Sequence, residues 1–462
     1  MKVLLMTPAY ATGEAEFCDI GLGYLAAGLL RGGHEVRMSL APLDEARLAS
    51  LLAAEKPDLV GIKVLTTNAG AAARTVRTVR ECSRAVTVIG GPHVTGDPAG
   101  ALEGVPADYA ISGEADLSFP KFSSLLSAGT LEDGKRSVPG LVYREGGAIL
   151  VNPPELVTGL DALPFPAWEL MPPGSHPSLV FKRSPVAGII ATRGCSNLCS
   201  FCSESYKKLR FRSVEGVMAE IRYLVERFGV REIQFLDSNF TASKDYVRAL
   251  CRAIMDSGLK LAFCAPNGGR LEHIDDEICG LLSGIGFYRM NIGIESGSPE
   301  ILNSVQKGCD LSRLPEKIGL LRKYGIQTIG NFMLGFPGET RLQMQRTVDL
   351  ALSLDLSAIN VAVYTPMPGT KLYDRLAADG RLPRDRVFRN YNFVAYENDL
   401  SELSPKELRR FRTRFMLAFL LRWRTLRTVA ELIRSGIAWN SLVKRIYWMY
   451  VSKMIRRPSA GR

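Results

Sequence analysis

Three cysteines, Cys195, Cys199 and Cys202, stand in a C-x3-C-x2-C pattern within ATRGCSNLCSFCSES, residues 191–205, directly behind an apolar run. Thiolates are soft ligands that suit iron and zinc. Three of them can hold three irons of a cubane 4Fe–4S cluster and leave the fourth iron open to a small molecule. A zinc knuckle would need a fourth protein ligand, and none of His34, His93, His176 and His273 falls at zinc-finger spacing from the trio. The remaining six cysteines (Cys18, Cys82, Cys251, Cys264, Cys279 and Cys309) are scattered and read as small core residues. The N-terminus, MKVLLMTPAY, has only four apolar residues (3–6) before Thr7, too few for a signal-peptide core. No stretch approaches 18 uninterrupted apolar residues. These features predict a cytoplasmic chain, where clustered cysteines point to metal or redox chemistry before disulfides.

Two series of alternating strand and helix patterns must position these residues. In the first, KVLLM, EVRMSL, DLVGIKV, AVTVIGG and a short DYAISG strand are separated by helical patterns such as GLGYLAAGLLRGG. Such alternation predicts a Rossmann-like (flavodoxin-like) parallel sheet with ligands at its C-terminal strand ends. The loops there, TPAYATG, LTTNAG and GGPHVTGDP, suit close approach to a large polar ligand. Residues 131–180 hold many prolines and read as a linker. Six further strands, in AGIIATRG, REIQFLD, KLAFCAP, YRMNIGIES, QTIGNFMLG and AINVAVYTP, alternate with helices and predict a partial (β/α)6 barrel. The cysteines follow its first strand, at the mouth where barrel active sites lie. The α/β chain thus divides into residues 1–130, a linker at 131–180, a barrel at 181–385 and a helical extension at 386–462.

The net charge of +11 is local: from residue 405 onward there are 15 Lys/Arg against two acids. The charge therefore does not argue for a nucleic-acid-binding protein as a whole, and no recognition module accompanies it. The extension carries Trp423, Trp439 and Trp448 among arginines at helical spacing. It reads either as a helical cap on the barrel or as a peripheral contact with an anionic membrane surface.

The cysteine pattern with Phe201 before its last member resembles the radical S-adenosylmethionine (radical SAM) enzymes. Further likenesses follow in LDSNFT, IGIESGSPEIL, NFMLGFPGET and YTPMPGTKLY. The resemblance implies that Cys195, Cys199 and Cys202 carry a 4Fe–4S cluster and that SAM chelates the open iron. It implies SAM contacts from Phe201, Asp237, Asn239, Glu295 and Gly335, with Arg270 facing either the SAM carboxylate or a nearby acid. Phe201, Asp237, Asn239 and Gly335 have plainer readings, core packing for the first and turn chemistry for the others, while Glu295 closes an apolar strand and needs a polar partner if buried.

The N-terminal region is similar to the cobalamin-binding domain preceding the barrel in one large subfamily, through GLGYLAAGL, DLVGI, GGPHVTGDP and YAISGEAD. A D-x-H-x-x-G signature is absent, so cobalamin would bind without that histidine, or the domain has lost the corrin. Thr66, Thr67, Gly91 and His93 are the implied contacts, His93 as a loop residue rather than a cobalt ligand. The resemblance implies a cobalamin-dependent methyltransferase acting on an unactivated carbon of a small-molecule or lipid-like substrate, through a 5′-deoxyadenosyl radical and methylcobalamin. It also implies an external electron donor of flavodoxin or ferredoxin type. A radical cyclase of the anaerobic magnesium-protoporphyrin ester cyclase kind, or a sensor without turnover, are the alternatives.

Overall fold

The computed structural model describes residues 1–8, 19–39, 41–174, 181–203, 208–382 and 399–423. Cys18, His176, Trp439 and Trp448 lie outside the described residues, as does the extension beyond Trp423. The chain forms two compact units. One comprises Met1–His176, Phe201–Ser205 and Pro366–Tyr391; the other comprises Pro177–Ser200, Tyr206–Thr365 and Asn392–Arg462.

The N-terminal unit is built on a seven-stranded sheet in the order β2-β1-β3-β4-β5-β6-β7. Its strands are β1 (Lys2–Met6), β2 (Glu35–Ser39), β3 (Leu59–Lys63), β4 (Val86–Gly90), β5 (Tyr109–Ile111), β6 (Leu141–Glu145) and β7 (Ala148–Val151). The first five pair in parallel, and the last two add an antiparallel hairpin at one edge. Side chains alternate across a strand. Leu4 and Met6 accordingly join one core with Val60 and Ile62, while Val3 and Leu5 join another with Leu59 and Phe119. Gly61 permits the second packing, because a Cβ there would stand 2.7 Å from Leu5 and 3.1 Å from Phe119.

The expected linker contributes to this unit. Its hairpin, β6–β7, extends the sheet, and the proline-rich chain beyond folds onto helix Ile20–Arg31. There Ala167 N–H donates to Gly23 C=O at 3.0 Å, Trp168 is fully buried, and a Cβ on Gly23 would meet Met171 at 2.1 Å. Prolines suppress the periodicity by which a sequence announces elements, so packing through single apolar anchors looks like a spacer.

The second unit holds a six-stranded sheet in the order β15-β14-β13-β12-β11-β8, every neighbour parallel. The strands are β8 (Val186–Ile189), β11 (Glu232–Phe235), β12 (Ala262–Gly269), β13 (Phe287–Glu295), β14 (Gln327–Leu334) and β15 (Ala358–Val363). Sequential parallel order with a helix after each strand is the open barrel that the sequence predicts. A two-stranded ribbon, β9 (Thr192–Arg193) with β10 (Arg210–Phe211), stands apart from that sheet. Helix Pro405–Leu421, the described start of the extension, packs beside β15, with Arg412 Nε donating to Val361 C=O at 2.7 Å.

Candidate functional site

The loop that carries the cysteines is fixed at its base. β8 runs into Ala191, and β9 then pairs antiparallel with β10, Phe211 opposite Thr192 and Arg210 opposite Arg193. Gly194, between β9 and Cys195, has φ +86°, a conformation that favours glycine. Asp237, at the end of β11, is 1% exposed and accepts hydrogen bonds from the Thr192 N–H, the Thr192 hydroxyl (2.6 Å) and the Ala191 N–H (3.4 Å). Burial pushes its carboxyl up to about 6, against the opposing pull of those donors. On the return side Arg212 pairs with the fully buried Glu220 and donates to Ile190 C=O. Asp237, expected among SAM contacts, is thus committed to the strand that launches the cysteines.

Cys195 and Cys199 are half-buried, Cys202 is exposed, and none of the three is in a disulfide. Cys202 and the half-buried Phe201 fall in the segment grouped with the N-terminal unit. Among the described residues no three or more His, Cys, Asp or Glu side chains are gathered as a ligand set. The donor chemistry nonetheless fits an iron–sulfur cluster: three solvent-reachable thiols on one loop, none in a disulfide, and a hydrogen bond from Asn197 Nδ2 to Cys195 Sγ at 3.2 Å. Of the cysteines expected in the core, Cys251, Cys264 and Cys279 are buried, whereas Cys82 is exposed and Cys309 half-buried.

An open recess of about 540 Å3 lies in the barrel unit, lined among others by Arg270, Glu272, Gly293, Lys307, Cys309 and Arg313. Glu295, at the end of β13, has φ +67°, an uncommon conformation for a residue with a side chain. Its carboxylate pairs with Lys307 at 2.8 Å, each side chain only 12% exposed. A Cβ on Gly293 would lie 2.5 Å from Glu295 Oε1 and 2.7 Å from Lys307 Nζ, so a side chain there would displace the charged ends of the pair. Burial works against the Lys307 charge, and Glu295 followed by Cys199 more than offsets it, raising its pKa.

Arg270, at the mouth of β12, is held by Glu272 at 2.6 Å and by Gly308 C=O, and its N–H reaches Asn239 Oδ1 at 3.2 Å. The structure thus gives Arg270 the nearby acid and gives Asn239 a backbone partner. Gly335, with φ +84°, donates its N–H to Glu339 at 2.7 Å. Glu339 is fully buried, its Oε1 has no partner, and burial pushes its carboxyl up to about 7. Lys307, Asn197 and Glu339 escaped the sequence reading. Each works through a partner distant in sequence, and spacing alone carries no such signal.

In the N-terminal unit, Thr66 and His93 come together at the C-terminal ends of β3 and β4, the Thr66 hydroxyl 3.2 Å from His93 Nδ1. Burial lowers the His93 pKa to about 4, against the raising influence of Asp97, which keeps the imidazole neutral at pH 7. Gly91 has φ +105°, and a Cβ there would lie 2.9 Å from Val64 C=O. Thr67 sits in the same turn, half-buried, and Asn68 beside it is 2% exposed with Nδ2 unpartnered. A buried, orphaned donor beside a glycine turn at the C-terminal sheet edge fits the polar periphery of a large ligand such as a corrin.

Comparison with known proteins bears on both units. Residues 189–351 match the model of the radical SAM superfamily, and residues 6–123 match that of the B12 binding domain. An uncharacterised methyltransferase of Pyrococcus horikoshii is 29% identical over 438 residues, covering 91% of this chain and 93% of the relative. The anaerobic magnesium-protoporphyrin IX monomethyl ester cyclase of Rubrivivax gelatinosus is 26% identical, covering 90% and 78%. The structure of the radical SAM methyltransferase TsrM from Kitasatospora setae, with cobalamin and a [4Fe-4S] cluster bound, has the same fold. It aligns with TM-score 0.67 at 20% identity, over 82% of this chain and 75% of TsrM. Residues 189–351 are therefore a radical SAM domain and residues 6–123 a B12-binding domain, a pairing that marks an enzyme using a 4Fe–4S cluster, SAM and cobalamin.

Proposed function

We propose that the protein is a cobalamin-dependent methyltransferase that places a methyl group on an unactivated carbon of a small-molecule or lipid-like substrate. One observation carries the reading: a cysteine loop braced at the end of a first barrel strand shares one chain with a B12-binding domain. Cys195, Cys199 and Cys202 would hold a 4Fe–4S cluster that, with SAM and an external electron donor of flavodoxin or ferredoxin type, would supply radical chemistry, while bound cobalamin would supply the methyl group. The chain's own residues have distinct tasks. Asp237 and the β9–β10 ribbon hold the cysteine loop at the barrel mouth. Glu295, in its strained conformation and paired with Lys307, presents a fixed carboxylate suited to ribose hydroxyls. Arg270 and Lys307 line the recess, each already paired with an acid, Glu272 and Glu295 respectively. Asn239, Gly335 and Phe201 complete the SAM contacts in this reading. Thr66, Thr67, Gly91 and His93 face the nucleotide tail of cobalamin, with His93 neutral.

Anaerobic reconstitution tests this directly. Corrin bands beside iron–sulfur absorption, together with 5′-deoxyadenosine from SAM and reductant, are expected. Absence of corrin would sink the methyltransferase reading, and SAM cleavage surviving Cys199→Ala would remove the cluster assignment. The likeness to the Rubrivivax cyclase favours ring closure as a second reading. Label carried from methyl-labelled SAM into product separates the two. Among the described residues no helix is long and apolar enough to cross a membrane.

A further inference from the structure

Asn197 occupies the three-residue gap between Cys195 and Cys199. Its amide is oriented by a chain of partners within the barrel unit. The Arg270 guanidinium donates to Asn197 Oδ1 through Nη1, while Nε and Nη2 donate to Glu272 (3.0 Å and 2.6 Å) and Nη2 also to Gly308 C=O. Arg270 is itself held through its backbone N–H, which donates to Thr241 Oγ1 at 2.9 Å and Asn239 Oδ1 at 3.2 Å. A guanidinium has no acceptor, so the atom facing it must be the amide oxygen. That choice leaves Nδ2 directed at Cys195 Sγ, 3.2 Å away. The orientation of this amide is therefore set by chemistry, and the sulfur receives a hydrogen bond.

We infer that Asn197, fixed by Arg270 and Glu272, is a positioning residue that raises the reduction potential of the cluster through its hydrogen bond to Cys195. Adding an electron makes the thiolate sulfurs more negative, so an N–H donor stabilises the reduced state more than the oxidised one. Hydrogen bonds to ligand sulfurs are an established lever on iron–sulfur potentials. The cationic fork behind Asn197 acts in the same direction by polarising the amide. The inference rests on the cluster assignment of the proposed function.

The test is a redox titration of the reconstituted full-length protein without SAM, followed by electron paramagnetic resonance. Asn197→Ala removes the donor, and Asn197→Asp removes it while keeping the pairing with Arg270. Both variants are expected to hold the same iron and sulfide as wild type. At a fixed ambient potential each should show about a tenfold lower reduced-to-oxidised ratio, a midpoint about 59 mV more negative for one electron. If Asn197→Ala does not fold, by circular dichroism, Asn197→Asp decides. An unchanged or more positive midpoint overturns the inference. So does a folded variant that takes up no cluster, because Asn197 would then serve assembly rather than potential. Failure of wild type to bind a cluster would instead remove the cofactor assignment beneath it.

Discussion

Glu295 combines left-handed backbone, burial and a single ion pair, and these features predict how its variants behave. In Lys307→Met the Glu295 carboxylate stays 12% exposed without its counter-charge. Breaking one side of such a pair costs about 3–5 kcal/mol, so a large drop in the denaturant midpoint is expected. Glu295→Gln keeps the shape and should cost less stability, yet weaken SAM binding by about tenfold, because charge-assisted hydrogen bonds contribute roughly 1.5–3 kcal/mol. Binding measured by calorimetry would refute this if the two affinities agreed. Glu339 offers a test through pH. Its folded pKa, about 7, lies above the ordinary carboxylic value of 4.5, so ionisation opposes folding. The stability it contributes is complete below 4.5 and is lost as pH rises through about 7. Glu339→Gln, neutral throughout, should therefore gain on wild type between pH 5 and pH 8, by on the order of 2–3 kcal/mol in urea unfolding. Parallel curves would disprove the assignment. At this scale Cys195, Cys199, Cys202 and Glu295 stood out in the sequence by residue type and by their places at strand ends. The sequence hid Lys307, Asn197 and Glu339, whose meaning depends on which distant atom they meet.

Strands and helices were legible wherever alternation or helical spacing set the pattern, as in β1, β3 and the six barrel strands. They were not legible where anchors are single. The β9–β10 ribbon pairs two residues with two and leaves no periodic trace. Yet it closes the cysteine loop, with Arg212 bonded to the β8 exit and to Glu220 on helix Val214–Phe228. Arg212→Ala should cost about 3–5 kcal/mol, since Glu220 is fully buried and would lose its guanidinium counter-charge. Arg212→Ala/Glu220→Leu should recover much of that loss, an outcome that thermal unfolding of both variants would check. Within the N-terminal unit, the turn at Pro368–Gly369 packs on the short helix Pro92–Gly96 through glycine. A Cβ on Gly96 would lie 2.3 Å from Pro368 C=O, and one on Gly369 would lie 2.4 Å from Gly96 Cα. Residues 366–370 belong by sequence to the last strand's loop of the barrel, so only folding discloses that they pack against this helix. Gly96→Ala should lower stability by about 1–3 kcal/mol through overpacking.

Across the whole molecule, two sheets, each with its parallel C-terminal edge, give the chain two places where a large ligand can bind. Their existence was readable because strand and helix alternation is the strongest signal a sequence carries. What each edge holds was readable only from residues: three cysteine thiols in one loop, a glycine turn with a neutral histidine and an orphaned amide in the other. These two sites make a prediction about stability that does not depend on knowing the substrate. A ligand that binds only the folded state stabilises it by RT ln(1 + [L]/Kd), about 2.7 kcal/mol at one hundred times Kd. Cobalamin added to the cluster-free protein should therefore raise the unfolding midpoint, because its proposed contacts, Thr66, Thr67, Gly91 and His93, lie apart in sequence from the cysteines. Cys199→Ala should leave that increment intact. Asn68→Leu, which removes the orphaned amide while keeping similar volume, should reduce it, as the amide's acceptor on the ligand would go unmet. An increment absent in wild type would mean a sheet without a corrin. One abolished by Cys199→Ala would mean that cobalamin binding requires the cysteine loop.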